Sequence, residues 1–334
     1  MVGSQDSRLS PPAERPWQHH WNHPHVVDYL EERFEQNQFL PLDQKLGELL
    51  GYVLRQEETF LDVGCQMGTF YERKQPFGFK YTGVDVTPNF VERCRVRYPE
   101  ADFRVDDGFN LSFEDGRYDV VFNKDILRHL ENPEVMVSEL LRVARRQVIV
   151  VTYLHPDHPT SRWEGEMIPG AEGYLVETRN QGEFERMLIS VGFLPTAIFD
   201  VSGTEDRNRG THYAYLLDKA MNRCREGEES FTNDDWGAAR RAFEEALSID
   251  AVCAEAMCNL GMVDLREAKW ESAAENFANV VDLRPRDLDF LEKLAVADFR
   301  SGRTEKARTS IDRCLALTPG DEDAIAFRNE ISGA

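Results

Sequence analysis

The chain has 334 residues, a formal net charge of −21 at pH 7 and no run of about 18 apolar residues, so no membrane-spanning helix is expected. Both halves are acidic, which disfavours a nucleic-acid partner, because phosphate backbones are bound by basic patches that release counterions. The length suggests two domains, and six scattered cysteines without CxxC spacing read as reduced thiols of a cytoplasmic protein rather than a disulfide framework or zinc site.

Residues 1–16 are polar and rich in proline, and are expected to form a loose tail. The stretch Trp17 to His25 holds four of the eight histidines, and two helical patterns follow, near 25–37 and 41–55. Residues 17–56 are therefore expected to add helices ahead of the first strand. From 59 to 154 short β-branched runs (TFLDVG, KYTGVDV, DFRVDD, YDVVFN, QVIVVTYL) alternate with helical stretches. That is the pattern of βαβ units and a mainly parallel sheet. Residues 155–175 read as irregular. A helix near 181–191 leads into PTAIFDVSG and THYAYLLDK, read as a closing antiparallel hairpin that ends a domain at 219.

The remainder, 220–334, repeats. Trp236 and Trp270 are 34 residues apart, and the same step links Ala239, Ala273 and Ala307; Phe243, Phe277 and Ile311; and Gly227, Gly261 and Ala295. This resembles the tetratricopeptide repeat, implying three helix pairs with a capping helix. The first repeat is degenerate, with Glu226 and Ala251 in place of leucine and proline, as terminal repeats often are.

In an open parallel sheet ligands sit beyond the carboxyl ends of the strands. Four loops there carry suitable residues. Asp62-Val-Gly-Cys-Gln-Met-Gly68 is a strand–turn–helix junction whose glycines let backbone approach a ligand. Gln66 and Thr69 fall where a dinucleotide fingerprint needs glycine, which argues against a nicotinamide cofactor. Asp85, at the next strand end, can accept two ribose hydroxyls, and Asp107, beside Gly108, can accept an adenine amino group. Phe122 to Leu130 closes the floor, with His129 a candidate general base. Each residue also has a structural reading. Asp62 is placed to cap the following helix, and His129 to be satisfied by backbone.

The motifs LDVGCxxG, VDxTP, DDG-x-x-L-x-F and YDVVFN-x-x-x-L-x-HL, in this order over residues 59–154, resemble the class I S-adenosylmethionine-dependent methyltransferases of the type 11-like group. The resemblance implies a Rossmann-like α/β fold: a seven-stranded, mainly parallel sheet with a terminal antiparallel hairpin over 57–219, followed by the all-α repeats. It implies S-adenosylmethionine as cofactor. Asp62, Gly64 and Gly68 would surround the methionine moiety, Asp85 would bind ribose, and Asp107 with the backbone of Gly108 would read adenine. Gln66 and Asn123 join the cofactor set. Gln66 is a departure, standing where the family usually has glycine, so its side chain must turn away or join the site. The N-terminal helices and the loop after the fifth strand often cover the acceptor pocket in this family.

The expected activity is methyl transfer to an oxygen or nitrogen of a small or medium-sized acceptor, with Tyr153, Arg162, Trp163, Glu164, Tyr174 and Arg179 available as pocket walls. The repeats would set oligomeric state or dock a protein partner. Two alternatives stay open: a protein methyltransferase whose repeat groove recruits the substrate, and a non-catalytic cofactor-binding scaffold. Asn123-Lys-Asp-Ile does not match the sequence that grips a flipped DNA base, and the His-rich segments lack a zinc spacing, so no metal site is expected.

Overall fold

Phe60 and Leu61 are adjacent in sequence and both inaccessible to solvent, yet they belong to different apolar clusters. Val120 and Val121 divide the same way. Successive side chains of a strand point to opposite faces, so these pairs place a sheet between two covering layers, the arrangement typical of parallel sheets. The computed structural model describes residues 20–36, 40–74, 78–192, 194–201 and 210–333. The expected tail at 1–16, with Trp17 and His19, lies outside them. The chain divides into two units, Met1–Asp218 and Lys219–Ala334.

In the first unit five strands run parallel: β1 (Thr59–Val63), β2 (Lys80–Asp85), β3 (Asp102–Val105), β4 (Tyr118–Lys124) and β5 (Ala144–His155). The chain goes β1-β2-β3 outward and then returns to the other side of β1 with β4, so the order reverses between β1 and β4. That reversal opens a crevice beyond their carboxyl ends.

The stretch 155–175, expected to be irregular, instead contributes to a hairpin. There β6 (Ser161–Gly165) and β7 (Tyr174–Asn180) pair antiparallel, and β7 pairs in parallel with the end of β5. No periodicity announces this hairpin, because β6 is exposed along nearly its whole length and lacks an apolar alternation. The expected closing hairpin is present as well: β8 (Ala197–Asp200) lies antiparallel to β9 (Thr211–Asp218), which in turn lies antiparallel to β5. Among the described residues the sheet therefore has nine strands instead of seven.

Helices α1 (Pro24–Glu35) and α2 (Leu40–Val53) precede the sheet. Val26, Val27, Leu30 and Phe34 of α1 pack with Met67 of the glycine loop and Phe90, while Leu46 and Leu50 of α2 join Phe60, Phe70 and Phe122. The crossover helices are α3 (Thr69–Lys74), α4 (Pro88–Arg97), α5 (Pro133–Val143) and α6 (Gln181–Ser190).

The second unit is helical: α7 (Lys219–Thr232), α8 (Trp236–Ile249), α9 (Ala254–Arg266), α10 (Trp270–Leu283), α11 (Leu288–Arg300), α12 (Thr304–Leu317) and α13 (Glu322–Gly333). Its sequence columns are contacts. A Cβ on Gly227 would lie 2.5 Å from the Phe243 ring, and one on Gly261 2.8 Å from the Phe277 ring. Only glycine leaves room for phenylalanine there, and in the third pair the larger Ala295 stands with the smaller Ile311 in one core cluster.

Candidate active site

The glycine loop is held by backbone geometry before any ligand is considered. The N–H groups of Gly64 and Cys65 both donate to the carbonyl of Val84, at 2.8 and 3.0 Å, and the Gln66 N–H donates to an Asp85 carboxylate oxygen at 3.0 Å. The other Asp85 oxygen accepts from the Thr87 N–H at 2.9 Å. One carboxylate thus ties the β1 turn to the β2 turn. Gln66 has φ of +48°, a left-handed conformation that a residue with a Cβ adopts only at a cost, so the loop carries local strain at the cavity edge.

These turns border a cavity of about 280 Å³. Asp62, Gly64, Gln66, Asp85, Asp106 and Gly108 line its strand-end side, and His129 lies in the same wall system. Three expected cofactor residues do not line it. Gly68 has φ of +72°, and a Cβ there would sit 2.9 Å from the Tyr98 ring, so it serves close packing of α3 against its neighbours. Asp107 accepts from the Phe109 N–H at 3.0 Å, and its neighbour Asp106, which does line the cavity, has its carboxylate held by the Asp107 N–H at 2.8 Å and by the Ser112 N–H and hydroxyl at 3.1 and 2.8 Å. Asn123 is fully buried and donates from Nδ2 to the Val63 carbonyl at 2.9 Å, joining β4 to the end of β1.

Burial sets the charge state of the remaining groups. Asp62 is 3% exposed; burial raises its carboxyl to about 7, against the opposing effects of the Tyr81 hydroxyl, which donates to it at 2.8 Å, and of Lys124. Asp85 is also pushed upward by burial, opposed by the backbone N–H groups of Thr87, Gln66 and Val86 and by the Thr87 hydroxyl. His129 is held at Nδ1 by the Leu175 carbonyl at 2.7 Å, and burial brings its pKa down to about 4. The ring is therefore neutral near pH 7 with its proton on Nδ1. Nε2 is left as an acceptor, and the ring is a weaker base than an ordinary histidine.

Several wall residues were not legible in the sequence. Asp125 has φ of +60°, and His212 Nε2 lies 3.1 and 3.2 Å from its two oxygens. Burial pushes Asp125 upward, but His212, Lys124 and Arg128 together bring it below the usual carboxylate range. Lys124 pairs with the fully buried Asp43 of α2 at 2.7 Å. Trp21 and Arg128 also line the cavity. Of the walls proposed from sequence, Tyr174 lines it, whereas Arg179 is buried against the carbonyls of Leu127 and Leu130, and Arg162 makes exposed ion pairs with Glu131 and Glu164. Trp163 is half exposed with its ring 5.8 Å from that of Tyr174, and Tyr153 packs beneath the Arg128 guanidinium. In the histidine-rich segments, His20 is buried with Nδ1 2.8 Å from the Ala171 carbonyl, and His155 accepts from the backbone of Asp157 and His158. Among the described residues no group of three or more His, Cys, Asp or Glu side chains converges as a metal site would.

Residues 61–152 match the methyltransferase domain family, and residues 258–322 match the tetratricopeptide repeat family. The 2-methyl-6-phytyl-1,4-hydroquinone methyltransferase of Synechocystis is 38% identical over 97 residues, covering 28% of this chain and 30% of that protein. The norajmaline N-methyltransferase of Rauvolfia serpentina is 24% identical over 110 residues, covering 30% of this chain and 38% of that protein. The chain thus spans about a third of the length of these relatives. The crystal structure of the Burkholderia thailandensis 1,6-didemethyltoxoflavin-N1-methyltransferase, with bound 1,6-didemethyltoxoflavin and S-adenosylhomocysteine, aligns with a TM-score of 0.46 at 15% identity, covering 64% of this chain and 93% of that one.

Proposed function

We propose that this chain, which carries a methyltransferase domain at residues 61–152 and tetratricopeptide repeats at 258–322, transfers a methyl group from S-adenosylmethionine to an oxygen or nitrogen of a small or medium-sized acceptor. The observation that carries the reading is the pair of buried acids Asp62 and Asp85, at the ends of the adjacent strands β1 and β2, beside the glycine turn of a single cavity.

The residues present fit this cofactor. A buried carboxyl that holds its proton up to about 7, as Asp62 does, is one that a ligand ammonium would relieve, so Asp62 and the backbone at Gly64 would hold the methionine moiety. Asp85, buried at the end of β2 and lining the cavity, would take the ribose. The turn that runs from Asp106 to Gly108, whose Asp106 carboxylate is held by Ser112 and by the Asp107 N–H, would face adenine. A Cβ at Gly108 would lie 2.4 Å from Met136 Cε, so a side chain there would have to displace the end of that methionine. Bound here, the cofactor supplies an activated sulfonium methyl.

The protein's remaining task is alignment and exclusion of water. Trp21 and Tyr174 present apolar surface, and neutral His129 can accept an acceptor's hydroxyl or amine hydrogen at Nε2, positioning the nucleophile without needing to remove its proton fully. The repeats would set oligomeric state or dock a partner. A second reading, in which the substrate is a protein recruited by the repeats, is favoured by the tetratricopeptide match. Calorimetry of the full chain with S-adenosylhomocysteine tests the cofactor, and absence of binding at millimolar ligand would overturn the proposal. Methyl-labelled cofactor offered to fractionated cell extract then separates the readings, since label in small-molecule fractions supports the first and label on protein the second.

A further inference from the structure

The charged groups on the cavity wall away from the strand-end acids are nearly all answered within the protein. Lys124 has Asp43, Asp125 has His212, and Arg33 reaches the Tyr29 hydroxyl at 3.4 Å. Arg128 differs. Its guanidinium lies over the Tyr153 ring, 5.0 Å from the centroid, and among the described residues no hydrogen bond or salt bridge reaches it. Its Nε is buried without a partner. Asp125 contributes a field but forms no salt bridge with it, both of its oxygens being directed to His212. A half-buried guanidinium has lost part of its hydration, and the stack on Tyr153 restores only some of that loss.

Next to it the cavity wall is aromatic. The rings of Trp21, His129 and Tyr174 form a closed set, with centroids 5.2, 5.8 and 5.3 Å apart. A planar ring is the ligand shape that such a wall packs best, at small cost in side-chain ordering. The planar fork of an arginine matches a carboxylate by two parallel hydrogen bonds.

We propose that the acceptor is an aromatic acid, its ring packed against Trp21 and Tyr174 and its carboxylate received by Arg128. This rests on the methyltransferase reading for the acceptor's role, though not for the existence of the binding site. It also sets the acceptor's charge. In a chain with net charge −21, an anionic ligand gains nothing from the overall field, so a local guanidinium has to supply the attraction.

The test is calorimetry of the full chain with 4-hydroxybenzoate and with its neutral counterpart 4-hydroxybenzamide, each with and without saturating S-adenosylhomocysteine. The acid should bind at least about tenfold more tightly than the amide, the scale of one charge-assisted hydrogen bond. Arg128→Gln should remove that preference, and Arg128→Lys should keep part of it, because charge survives without the fork. The Arg128→Gln protein should melt as the parent does, since the Tyr153 stack is the contact it loses. Equal binding of acid and amide, no binding of either up to about 10 mM, or an acid preference that survives Arg128→Gln would overturn the proposal. If S-adenosylhomocysteine fails to bind while the Arg128-dependent preference for the acid remains, the anion site stands and the methyltransferase reading falls.

Discussion

Replacing Asp62 by asparagine should make the first unit more stable and its cofactor binding weaker, and the stability gain should grow with pH. In the folded chain this carboxyl is raised from 3.8 to about 7, chiefly by burial. At about 1.36 kcal/mol per unit, the roughly three-unit rise corresponds to about 4 kcal/mol, an upper figure for so buried a group. The folded state keeps the proton up to about 7, whereas the unfolded chain loses it near 4. Stability therefore falls as pH rises through that window and is flat above it. The Asp62→Asn side chain has no such proton to lose, and its amide oxygen can still accept from the Tyr81 hydroxyl. Between about pH 5 and pH 8 the gap between variant and parent should widen by about 2–3 kcal/mol, or roughly 4–12 °C in melting temperature for a domain of this size. The assay is a set of thermal melts across that pH range, following the transition that responds to S-adenosylhomocysteine. Calorimetry in parallel should show the variant binding that ligand about ten- to a hundredfold more weakly, the scale of one charge-assisted hydrogen bond. A gap that stays constant or narrows as pH rises would refute the assignment of a protonated, buried Asp62.

Asp85→Ala should weaken S-adenosylhomocysteine by roughly ten- to a hundredfold in calorimetry, because it removes the proposed ribose acceptor and also frees the Gln66 and Thr87 N–H groups that shape both turns. Gly68→Ala should destabilise the first unit by about 1–3 kcal/mol in chemical denaturation, since the new Cβ meets the Tyr98 ring in a backbone conformation with φ of +72°. In the repeats, Asp264 is fully buried and accepts from Arg240 at 2.6 Å, Ser272 at 2.6 Å and Asn276 at 2.9 Å. Asp264→Ala leaves the Ser272 and Asn276 donors without this acceptor, while Arg240 keeps Glu267 at 2.7 Å, and should cost about 2–4 kcal/mol in the stability of that unit, read by urea titration.

The architecture was legible because its signals are local and repeated. Apolar runs long enough to bury both faces of a strand, glycines at the turn after β1, and acids at strand ends recur at regular spacing, and each is readable from a few neighbouring residues. The 34-residue step was legible for the same reason, since the Gly227–Phe243 fit is repeated at Gly261–Phe277. The β6–β7 hairpin was not, because β6 is exposed and carries no apolar pattern to distinguish it from a loop.

Within the site the division is sharper. By itself the sequence determined that a row of acids would stand over the carboxyl ends of a parallel sheet next to a glycine turn. Only the tertiary structure showed how the acids after β3 are bonded, Asp106 to Ser112 and Asp107 to the Phe109 N–H, because both lie in a turn beyond the strand, where no alternation tells which way a side chain points. It alone paired Asp125 with His212 across 87 positions, left Arg128 without an acid, and brought Trp21 and Tyr174 to one wall. His129 was visible as a histidine in the right motif, but its neutral state and its tautomer follow from burial and from one carbonyl 46 residues away. Periodicity fixes which elements form and which face is apolar, whereas charge state and partnership depend on what packing brings within hydrogen-bond reach, and that is a property of the folded chain alone.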